Sequence, residues 1–525
     1  MSDPKAAREP ASADAREPAS TDASAARKRA RDAGVLVFGR LIATLSDALL
    51  PLVIVRLLGK ADVGVLTTVL LLYNTVALIL STGFPTALLY YLTGKPLAQR
   101  RAISVQVAVG LLGFGVAAAL AIGSSGLLHL LAPSLAARLF HADSAALVHG
   151  GLGYLFLLAA FPLGDLPARM MPNLLVAEHR TDLAARYAIA RSIGNALFVL
   201  VPASAGAGIA AVLVSYSVFG LLQGVALLFF LRILYRGAER ERSPIGFGAI
   251  VRFALPLGMT DVVSMLSNRL DRFVISLTYP LAAFAEYQAG AFQIPILTTI
   301  AYTVGTVYAP QMTELIAAGR ARDAIAVWRG SIAKVALVVL PFAAVFVVAA
   351  EEVVHVLFTE SYLRAAPVFR CYALMTMGRV AAFGTVVVCA GKPGLLVRAA
   401  VCTLIVYGTL AIAGLYLFGF VGPAIGIAAA FAPMMLIYCY YIARALDLRI
   451  GEIFPLGAYL QVLALTALAA VPAVVLKRVL VLPPAAMILV VAVSLLGSFL
   501  ALGLATGRIT RADLRYAARF ARFGG

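Results

Sequence analysis

From residue 35 to residue 506 the chain is a succession of apolar stretches, each about as long as a bilayer is thick. A helix needs about 20 consecutive apolar residues to cross the hydrocarbon core. Hydrophobic residues make up 62% of the 525 residues and charged residues 13%, against about half and about a quarter in an ordinary soluble protein. No polar gap between the stretches is long enough for a soluble domain. The sequence therefore predicts one all-α integral membrane body.

We predict about fourteen membrane-spanning helices, numbered here as spans 1 to 14. Their boundaries are 34–58, 64–92, 102–131, 150–173, 187–204, 207–231, 249–279, 284–312, 329–350, 365–390, 394–418, 421–444, 453–476 and 483–506. Spans 5 and 6 are the least clearly separated, because only a short Pro- and Gly-containing segment lies between them.

The positions of the basic residues predict the topology. With the N-terminus inside, the inside loops and both tails hold about 32 of the 43 Lys and Arg residues, and the outside loops hold about six. Lys and Arg concentrate in the cytoplasmic loops of membrane proteins. The bias therefore favours an N-in and C-in arrangement with an even number of spans.

The two ends of the chain differ from the spans. Residues 1–33 contain the hexapeptide AREPAS twice and little apolar surface, which predicts a disordered cytoplasmic tail. Residues 507–525 carry five Arg and form a basic cytoplasmic tail, either as an amphipathic helix on the membrane surface or as a plain flank of the last span. The net charge of +18 is spread over short loops, which fits contact with anionic lipid headgroups better than a nucleic-acid partner.

Motifs for catalysis or cofactor binding are missing from the sequence. The four cysteines fall inside predicted spans with no metal-binding spacing, no Ser or Cys nucleophile has a His base in a known motif, and no phosphate-binding loop is present. We therefore expect no enzymatic activity, no cofactor, no metal and no disulfide. The cysteines are Cys371, Cys389, Cys402 and Cys439.

Polar side chains inside the predicted spans are the candidates for function. Such residues are costly in hydrocarbon and tend to face a bundle interior or a watery cavity. They recur at helical spacing on spans 1, 2, 7 and 8, with further members on spans 4 and 10, while spans 13 and 14 carry no ionisable residue. The candidates are Arg40, Asp47, Asn74, Asp165, Arg169, Asp261, Asn268, Arg269, Asp271, Arg272, Gln293 and Arg379.

The recurrence of polar stripes in the opening spans of two sets of six predicts two six-helix lobes around a central cleft. The N-terminal lobe would cover 34–231, the C-terminal lobe 249–446, and two peripheral accessory spans 453–506. Transporters that rock one lobe against the other often carry such repeats, although no sequence repeat accompanies the polar pattern here.

Several candidates also have a purely structural interpretation. Asp165 and Arg169, four residues apart, favour a structural ion pair. Arg40 could snorkel to the inner surface, and the adjacent Asp271 and Arg272 could anchor the outer interface. Arg379 has no acidic neighbour within a turn of its own helix, so it is expected to need a partner on another helix or an anionic ligand.

Four stretches resemble the polysaccharide transporter family, the O-antigen and lipopolysaccharide flippase-like branch of the multidrug/oligosaccharidyl-lipid/polysaccharide (MOP) exporter superfamily. They are 55–69 with its Arg-Leu-Leu-Gly run, 268–276 around Asp271 and Arg272, 358–370, and 417–430. The resemblance covers most of residues 34–450. Glu360 and Val63 depart from the family pattern, where a Gly and an aromatic residue are common.

The resemblance implies a flippase for an undecaprenyl-diphosphate-linked oligosaccharide used in lipopolysaccharide or exopolysaccharide synthesis. The cleft residues Arg40, Arg269, Arg272 and Arg379 would then neutralise the diphosphate, since guanidinium pairs well with phosphate oxygens. The sugar or a coupling ion would be bound by Asp47, Asn74, Asp261, Asn268, Asp271 and Gln293. The expected partners are the lipid-linked oligosaccharide, membrane lipids and a polysaccharide polymerase or export complex, with the flippase itself a monomer.

Three alternatives remain open from the sequence. A cation-coupled multidrug antiporter of the same superfamily would be expected to have a net acidic cavity, whereas the arginines inside the spans at least match the acids. A membrane saccharide polymerase or glycosyltransferase usually needs a large outside loop with catalytic residues, and no such loop is found. A structural role in an export complex is the third.

Overall fold

The computed structural model describes residues 42–81, 83–131 and 153–507, and the described chain is helical with no strand in it. Helices suit this sequence because hydrocarbon offers no partner for backbone N–H and C=O groups, which must be paired within the span. The predicted disordered tail 1–33, Arg40 and nearly all of the basic tail 507–525 lie outside the described residues. The expectations for them stay predictions.

Each of the fourteen predicted spans corresponds to a helix or an interrupted helix in the described residues. In chain order the helices are 42–57, Lys60–Ser81, Phe84–Tyr91, Leu97–Leu131, Phe161–Ala168, Met171–Ala177, Thr181–Ser204, Gly208–Leu234, Phe247–Thr278, Leu281–Gly290, Pro295–Ala317, Ala321–Val348, Ala350–Phe358, Ala366–Gly378, Phe383–Cys389, Pro393–Phe418, Gly422–Ala429, Phe431–Leu446, Ile450–Ile453, Leu456–Val479 and Pro484–Ala505. Short 3₁₀ turns lie at Gly153–Leu158, Glu360–Ala365 and Gly419–Val421.

Nine stretches in the described residues are long and apolar enough to cross a membrane, and a tenth is bent by 52° between Pro256 and Asp261. One of the nine, Gly394–Leu446, turns back at its 3₁₀ segment and holds spans 11 and 12. The remainder are span 1, which the structure describes from residue 42, and spans 4 and 8, which are interrupted. The prediction of about fourteen spans is confirmed at this level.

Spans 2, 4, 8 and 10 are each interrupted within the span. Span 2 breaks at Gly83, whose φ of +72° favours glycine. Span 8 breaks at residues 291–294 before Pro295, and span 10 at residues 379–382. The breaks of spans 2 and 8, and those of spans 4 and 10, are six spans apart, as an internal repeat would require, whereas the break of span 12 at Ala430 has no counterpart in span 6.

Two glycines explain how spans 11 and 12 lie against each other. A Cβ on Gly422 would stand 1.9 Å from the carbonyl oxygen of Gly414, and a Cβ on Gly414 would stand 2.1 Å from that of Gly422. The two backbones are therefore in direct contact, which only small residues permit. The stretch 417–430, one of the four family-like stretches, makes this close hairpin.

Polar contacts between loops show that the loops form two groups, one at each end of the molecule. At one end Arg100, before span 3, pairs with Glu178, after span 4, at 2.6 Å, and Tyr235, after span 6, donates to the same Glu178. Lys392, before span 11, donates to the carbonyl of Ala445, after span 12. All these loops belong to the side predicted to be inside.

The opposite end joins loops that the topology assigns to the outside. Arg56, after span 1, donates to the carbonyl of Val356, between spans 9 and 10. Lys477, at the end of span 13, pairs with Glu352 at 2.9 Å and with Glu351 at 3.4 Å. Burial opposes ionisation of Glu351, but Lys477 and Arg370 outweigh it and lower the pKa of this carboxyl. The loops therefore alternate between two ends as predicted, while the N-in orientation itself stays a prediction.

The helices of the first six spans pack mainly on one another, with span 4 against spans 3 and 6 and span 5 against span 6. Among the later spans, span 9 packs on spans 8, 10 and 13, span 7 on span 11, and span 11 on span 12. Span 13 packs on span 14. Span 2 links the two groups, since it packs against spans 7 and 8. The two-lobe division rests on this packing as a proposal.

Candidate functional site

A buried carboxylate, Asp165, holds the first polar cluster. Its side chain is 1% exposed and accepts a hydrogen bond from Tyr73 Oη at 2.5 Å. Arg169 Nε donates to the same oxygen, and Arg191 Nη2 donates to the other, both at 2.9 Å. One carboxylate therefore compensates two guanidinium groups, and the cluster carries a net positive charge.

The local sequence explains why Asp165 and Arg169 lie deep in the protein. Pro162 is in the first turn of the short helix Phe161–Ala168 and Pro167 is inside it, and prolines at this spacing interrupt a continuous helix. Gly164 sits against Gly220 of span 6, where a Cβ would stand 1.9 Å from the Gly220 carbonyl oxygen. The polar turn is thus packed tightly onto its neighbour.

A second buried carboxylate, Asp271, holds a similar cluster on span 7. It is fully buried, and Tyr287 of span 8 and Tyr372 of span 10 both donate to Oδ2, at 2.8 and 2.5 Å. Its other oxygen has no hydrogen-bond partner among the described residues. In both clusters tyrosine hydroxyls therefore satisfy a carboxylate that lies within the span region.

Two arginines form hydrogen bonds with residues at the break in span 8. Arg272 Nη2 donates to the carbonyl of Ala291 at 3.1 Å, which is a backbone group left unpaired by the break. Arg379 Nη1 donates to Gln293 at 2.9 Å, and its Nη2 donates to Asn268 of span 7 at 2.9 Å. Arg379 itself ends the helix Ala366–Gly378 at the break of span 10. The breaks of spans 8 and 10 are therefore joined through one guanidinium.

Arg269 connects the two clusters. It makes no hydrogen bond or ion pair with any residue that the structure describes, and it lies close enough to Arg272 and Arg169 for their charges to repel it. The positive charges of Arg169 and Arg191 repel each other in the same way, as do those of Arg272 and Arg379. Five guanidinium groups, each repelled by the next, therefore form a series from the first group of spans into the second: Arg191, Arg169, Arg269, Arg272 and Arg379. We call these five residues the arginine row.

The remaining candidates lie beside this row. Asn74 accepts a hydrogen bond from Arg169 at 3.2 Å. Asp47 of span 1 is exposed and accepts one from Ser192 of span 5 at 2.8 Å. Asp261 of span 7 is exposed, with no polar partner among the described residues. The structure thus brings Asn74, Asn268 and Gln293 directly onto arginines, whereas Asp47 and Asp261 are exposed and bond no arginine among the described residues.

The two groups of spans touch at both ends of span 2. At the outer end Lys60 pairs with Glu286 at 2.7 Å, and a Cβ on Gly64 would stand 2.1 Å from the Leu281 carbonyl oxygen. At the inner end a Cβ on Gly83 would stand 1.9 Å from the Ala254 carbonyl oxygen, and aromatic rings stack across the same junction. The arginine row therefore lies between two closed contacts in this conformation.

Four functional candidates were missed by sequence reasoning. Arg191, near the start of predicted span 5, was not among the candidates; its helix begins at Thr181, six residues before the predicted start, and Arg191 bonds Asp165. Tyr73, Tyr287 and Tyr372 were not among the candidates, all of which have charged or amide side chains. Their only signal was their presence within apolar spans that also carry a charged or amide side chain.

Interrupted helices around buried charges define the class of the fold. Discontinuous spans at corresponding positions of two halves are typical of secondary transporters. The structure is similar to that of the lipid II flippase MurJ in an inward closed conformation, with a TM-score of 0.65 and 14% identity over 90% of this chain and 99% of that one. It is also similar to a multidrug resistance MATE family transporter of the MOP superfamily in an inward-facing conformation, with a TM-score of 0.53 and 15% identity over 77% and 94% of the two chains.

Residues 53–367 match the family described as polysaccharide biosynthesis protein. The match covers more than half of the chain, so the protein belongs to this family, and its fold is that of the MOP superfamily transporters. The predicted family and the predicted multi-pass membrane architecture are thereby confirmed. No curated protein sequence matches the chain significantly.

Proposed function

We propose that this protein is a flippase that moves an undecaprenyl-diphosphate-linked oligosaccharide, a polysaccharide repeat unit, across the bacterial inner membrane by alternating access. The family match and the flippase-like fold support transport of a lipid-linked saccharide. The observation that carries the proposal is the arginine row, because its five guanidiniums face only two buried carboxylates, Asp165 and Asp271, among the described residues.

A diphosphate-sugar headgroup is anionic and polar, so it cannot cross hydrocarbon unaided. Arg269, Arg272 and Arg379 have no ion-pair partner within 4.0 Å among the described residues, so they are available for phosphate oxygens. Arg40, which the structure does not describe, would join them as the sequence predicts. Guanidinium is well suited because it binds phosphate in a bidentate manner.

We infer roles for the polar residues beside the arginine row from their contacts. Asn268 and Gln293 hold Arg379 in place until a phosphate competes for it, and Asn74 does the same for Arg169. The exposed carboxylates of Asp47 and Asp261 would bind sugar hydroxyls or a coupling ion. Asp271 is fully buried and accepts hydrogen bonds from Tyr287 and Tyr372, so its role is to fix spans 7, 8 and 10 relative to one another.

The lipid tail would remain in the bilayer while the headgroup passes through the cleft between the two lobes, 34–231 and 249–446. The contacts at the outer and inner ends of span 2 would open in turn. The cytoplasmic position of both termini, the accessory role of spans 13 and 14, and association with a polysaccharide polymerase belong to this proposal. No step in it requires catalysis by the protein.

The proposal is tested in vesicles that contain the purified full-length protein and a fluorescent undecaprenyl-diphosphate oligosaccharide. We expect protein-dependent movement of the headgroup between leaflets, measured by loss of fluorescence to an impermeant quencher. A matched undecaprenyl oligosaccharide without the diphosphate should move at the protein-free rate. Equal movement of both lipids, or transport of an organic cation instead, would contradict the assignment, and elongation of the saccharide would indicate a polymerase.

A further inference from the structure

A groove of about 860 Å³ lies between the start of span 3 and the segment that connects spans 6 and 7, and none of the arginine row lines it. Its size is within the roughly 300–1,000 Å³ typical of small-molecule sites. One wall is the exposed side of the span 3 helix, with Val105 and Val109, and the other is the connecting segment 239–247. Phe247 closes its floor by packing on Gly110, where a Cβ would stand 2.3 Å from the ring.

The apolar wall of the groove continues onto the lipid-facing side of span 3. Val105 and Val109 are 41% and 61% exposed. Leu112, Val116 and Leu120 follow at spacings of three and four residues and are also exposed, so the five residues form one helical stripe. An acyl chain in contact with this stripe can therefore enter the groove without crossing a polar barrier.

The polar rim of the groove carries both signs of charge. Arg101 and Arg240 supply two guanidiniums, and Glu239 and Glu241 supply two carboxylates. None of these four forms an ion pair with another residue in the described part of the chain. Arg101 donates through Nη1 to the Ala238 carbonyl at 2.7 Å, which leaves its other N–H groups without a partner in the described residues.

A buried acceptor lies on the same groove. Gln106 lines it, and its Oε1 atom is shielded from solvent without a hydrogen-bond partner among the described residues. Buried polar atoms are normally paired. Unpaired charges of both signs, an unpaired acceptor and an apolar wall in one groove indicate an amphiphilic ligand with its own positive and negative groups.

We propose that this groove binds a zwitterionic phospholipid with a primary-amine headgroup. The phosphate lies between Arg101 and Arg240, the ammonium group faces Glu239 and Glu241, and one acyl chain runs along Val105 and Val109. An anionic phospholipid fits less well, since the two carboxylates repel its phosphate and gain no ammonium. The bound lipid bridges span 3 and the segment that joins the two proposed lobes.

The test uses purified full-length protein in detergent with equal amounts of phosphatidylethanolamine and phosphatidylglycerol of identical acyl chains. Native mass spectrometry counts the bound lipids of each type. We expect the wild type to retain about fivefold more phosphatidylethanolamine, the preference that one or two rim charge pairs supply. The double variant E239Q/E241Q should bind the two lipids about equally.

Two further variants separate the groove from general lipid adhesion. Val109→Trp fills the groove and should abolish the preference, whereas Val225→Trp, at a 60% exposed position on span 6, should leave it unchanged. Their unfolding midpoints show whether each variant is folded. Equal binding of both lipids to the wild type, or an unchanged preference in Val109→Trp, would overturn the proposal, as would displacement of the phospholipid by an undecaprenyl-diphosphate lipid.

Discussion

Arg379 donates one hydrogen bond to Gln293, at the break of span 8, and lies itself at the break of span 10. A guanidinium with only amide partners keeps its full charge available. It can therefore exchange these partners for a phosphate oxygen without breaking an ion pair. The contact between Arg379 and Gln293 thus links the breaks of spans 8 and 10 to the proposed binding of the diphosphate.

Replacing Asp165 by Asn should destabilise the protein strongly. Arg169 and Arg191 would both lose their only carboxylate partner within the described residues, and breaking a buried pair typically costs about 3–5 kcal/mol. The unfolding midpoint in detergent should fall clearly. The control is Asp323→Asn, which removes an exposed ion pair with Arg320 and should cost about 0–1 kcal/mol. Equal midpoints for the two variants would show that Asp165 is not the anchor of its cluster.

The tyrosines on Asp271 should show non-additive effects. Tyr287→Phe or Tyr372→Phe alone leaves one hydroxyl on the carboxylate, so each should cost about 1 kcal/mol. The double variant leaves the buried carboxylate without a tyrosine donor and should lose more than the sum of the two single losses. A double-mutant cycle on thermal unfolding measures the difference, and strictly additive losses would argue against a shared acceptor.

The outer contact between the two groups of spans should depend on the Lys60–Glu286 pair. Lys60→Glu places two carboxylates together and should lower the unfolding midpoint by an amount equivalent to about 1 kcal/mol, since the pair is partly exposed. The charge swap Lys60→Glu with Glu286→Lys should recover most of the loss. Recovery will be incomplete because Arg364 lies 3.7 Å from the Glu286 carboxylate. A swap as unstable as the single variant would indicate that the pair does not hold this contact.

Gly64 should be required for closure at the same end. Its Cβ would collide with the Leu281 backbone at 2.1 Å, and backbone cannot move aside as a side chain can. Gly64→Ala should therefore separate spans 2 and 8 and slow transport. Gly113→Ala on span 3 adds the same methyl group into open space and should leave transport unchanged. The flipping assay distinguishes them, and a normal rate in Gly64→Ala would mean that this close approach is not part of the cycle.

Much of the fold was predictable because a bilayer imposes a fixed length and polarity on every span. The observed helix boundaries differ from the predicted ones by a few residues. The helix of span 5 begins at Thr181, six residues before its predicted start, because Thr181 and Asp182 begin a helix that further polar residues continue. The breaks in spans 8 and 10 could not be placed from Pro295 or Gly378 alone, since many prolines and glycines in this chain lie in unbroken helices.

The site was predictable in its residue types but not in its connections. Asp165 and Arg169 were recognised as a pair from their spacing, but the second arginine, Arg191, depends on how spans 4 and 5 pack. The same holds for Arg379, which meets Asn268 and Gln293 from two other spans. Tertiary packing decides such pairings, and a single sequence carries no direct record of it.

The most direct test compares Arg379→Gln with Arg370→Gln in the vesicle flipping assay. Arg370 lies on the same helix, but it pairs with Glu351 at the outer end, away from the arginine row. We predict that Arg379→Gln slows headgroup movement by about tenfold to a hundredfold, the loss expected for a charge-assisted contact to phosphate, while Arg370→Gln stays within about twofold of the wild type. Normal flipping by Arg379→Gln, with the protein folded, would contradict the proposal that the arginine row binds the diphosphate.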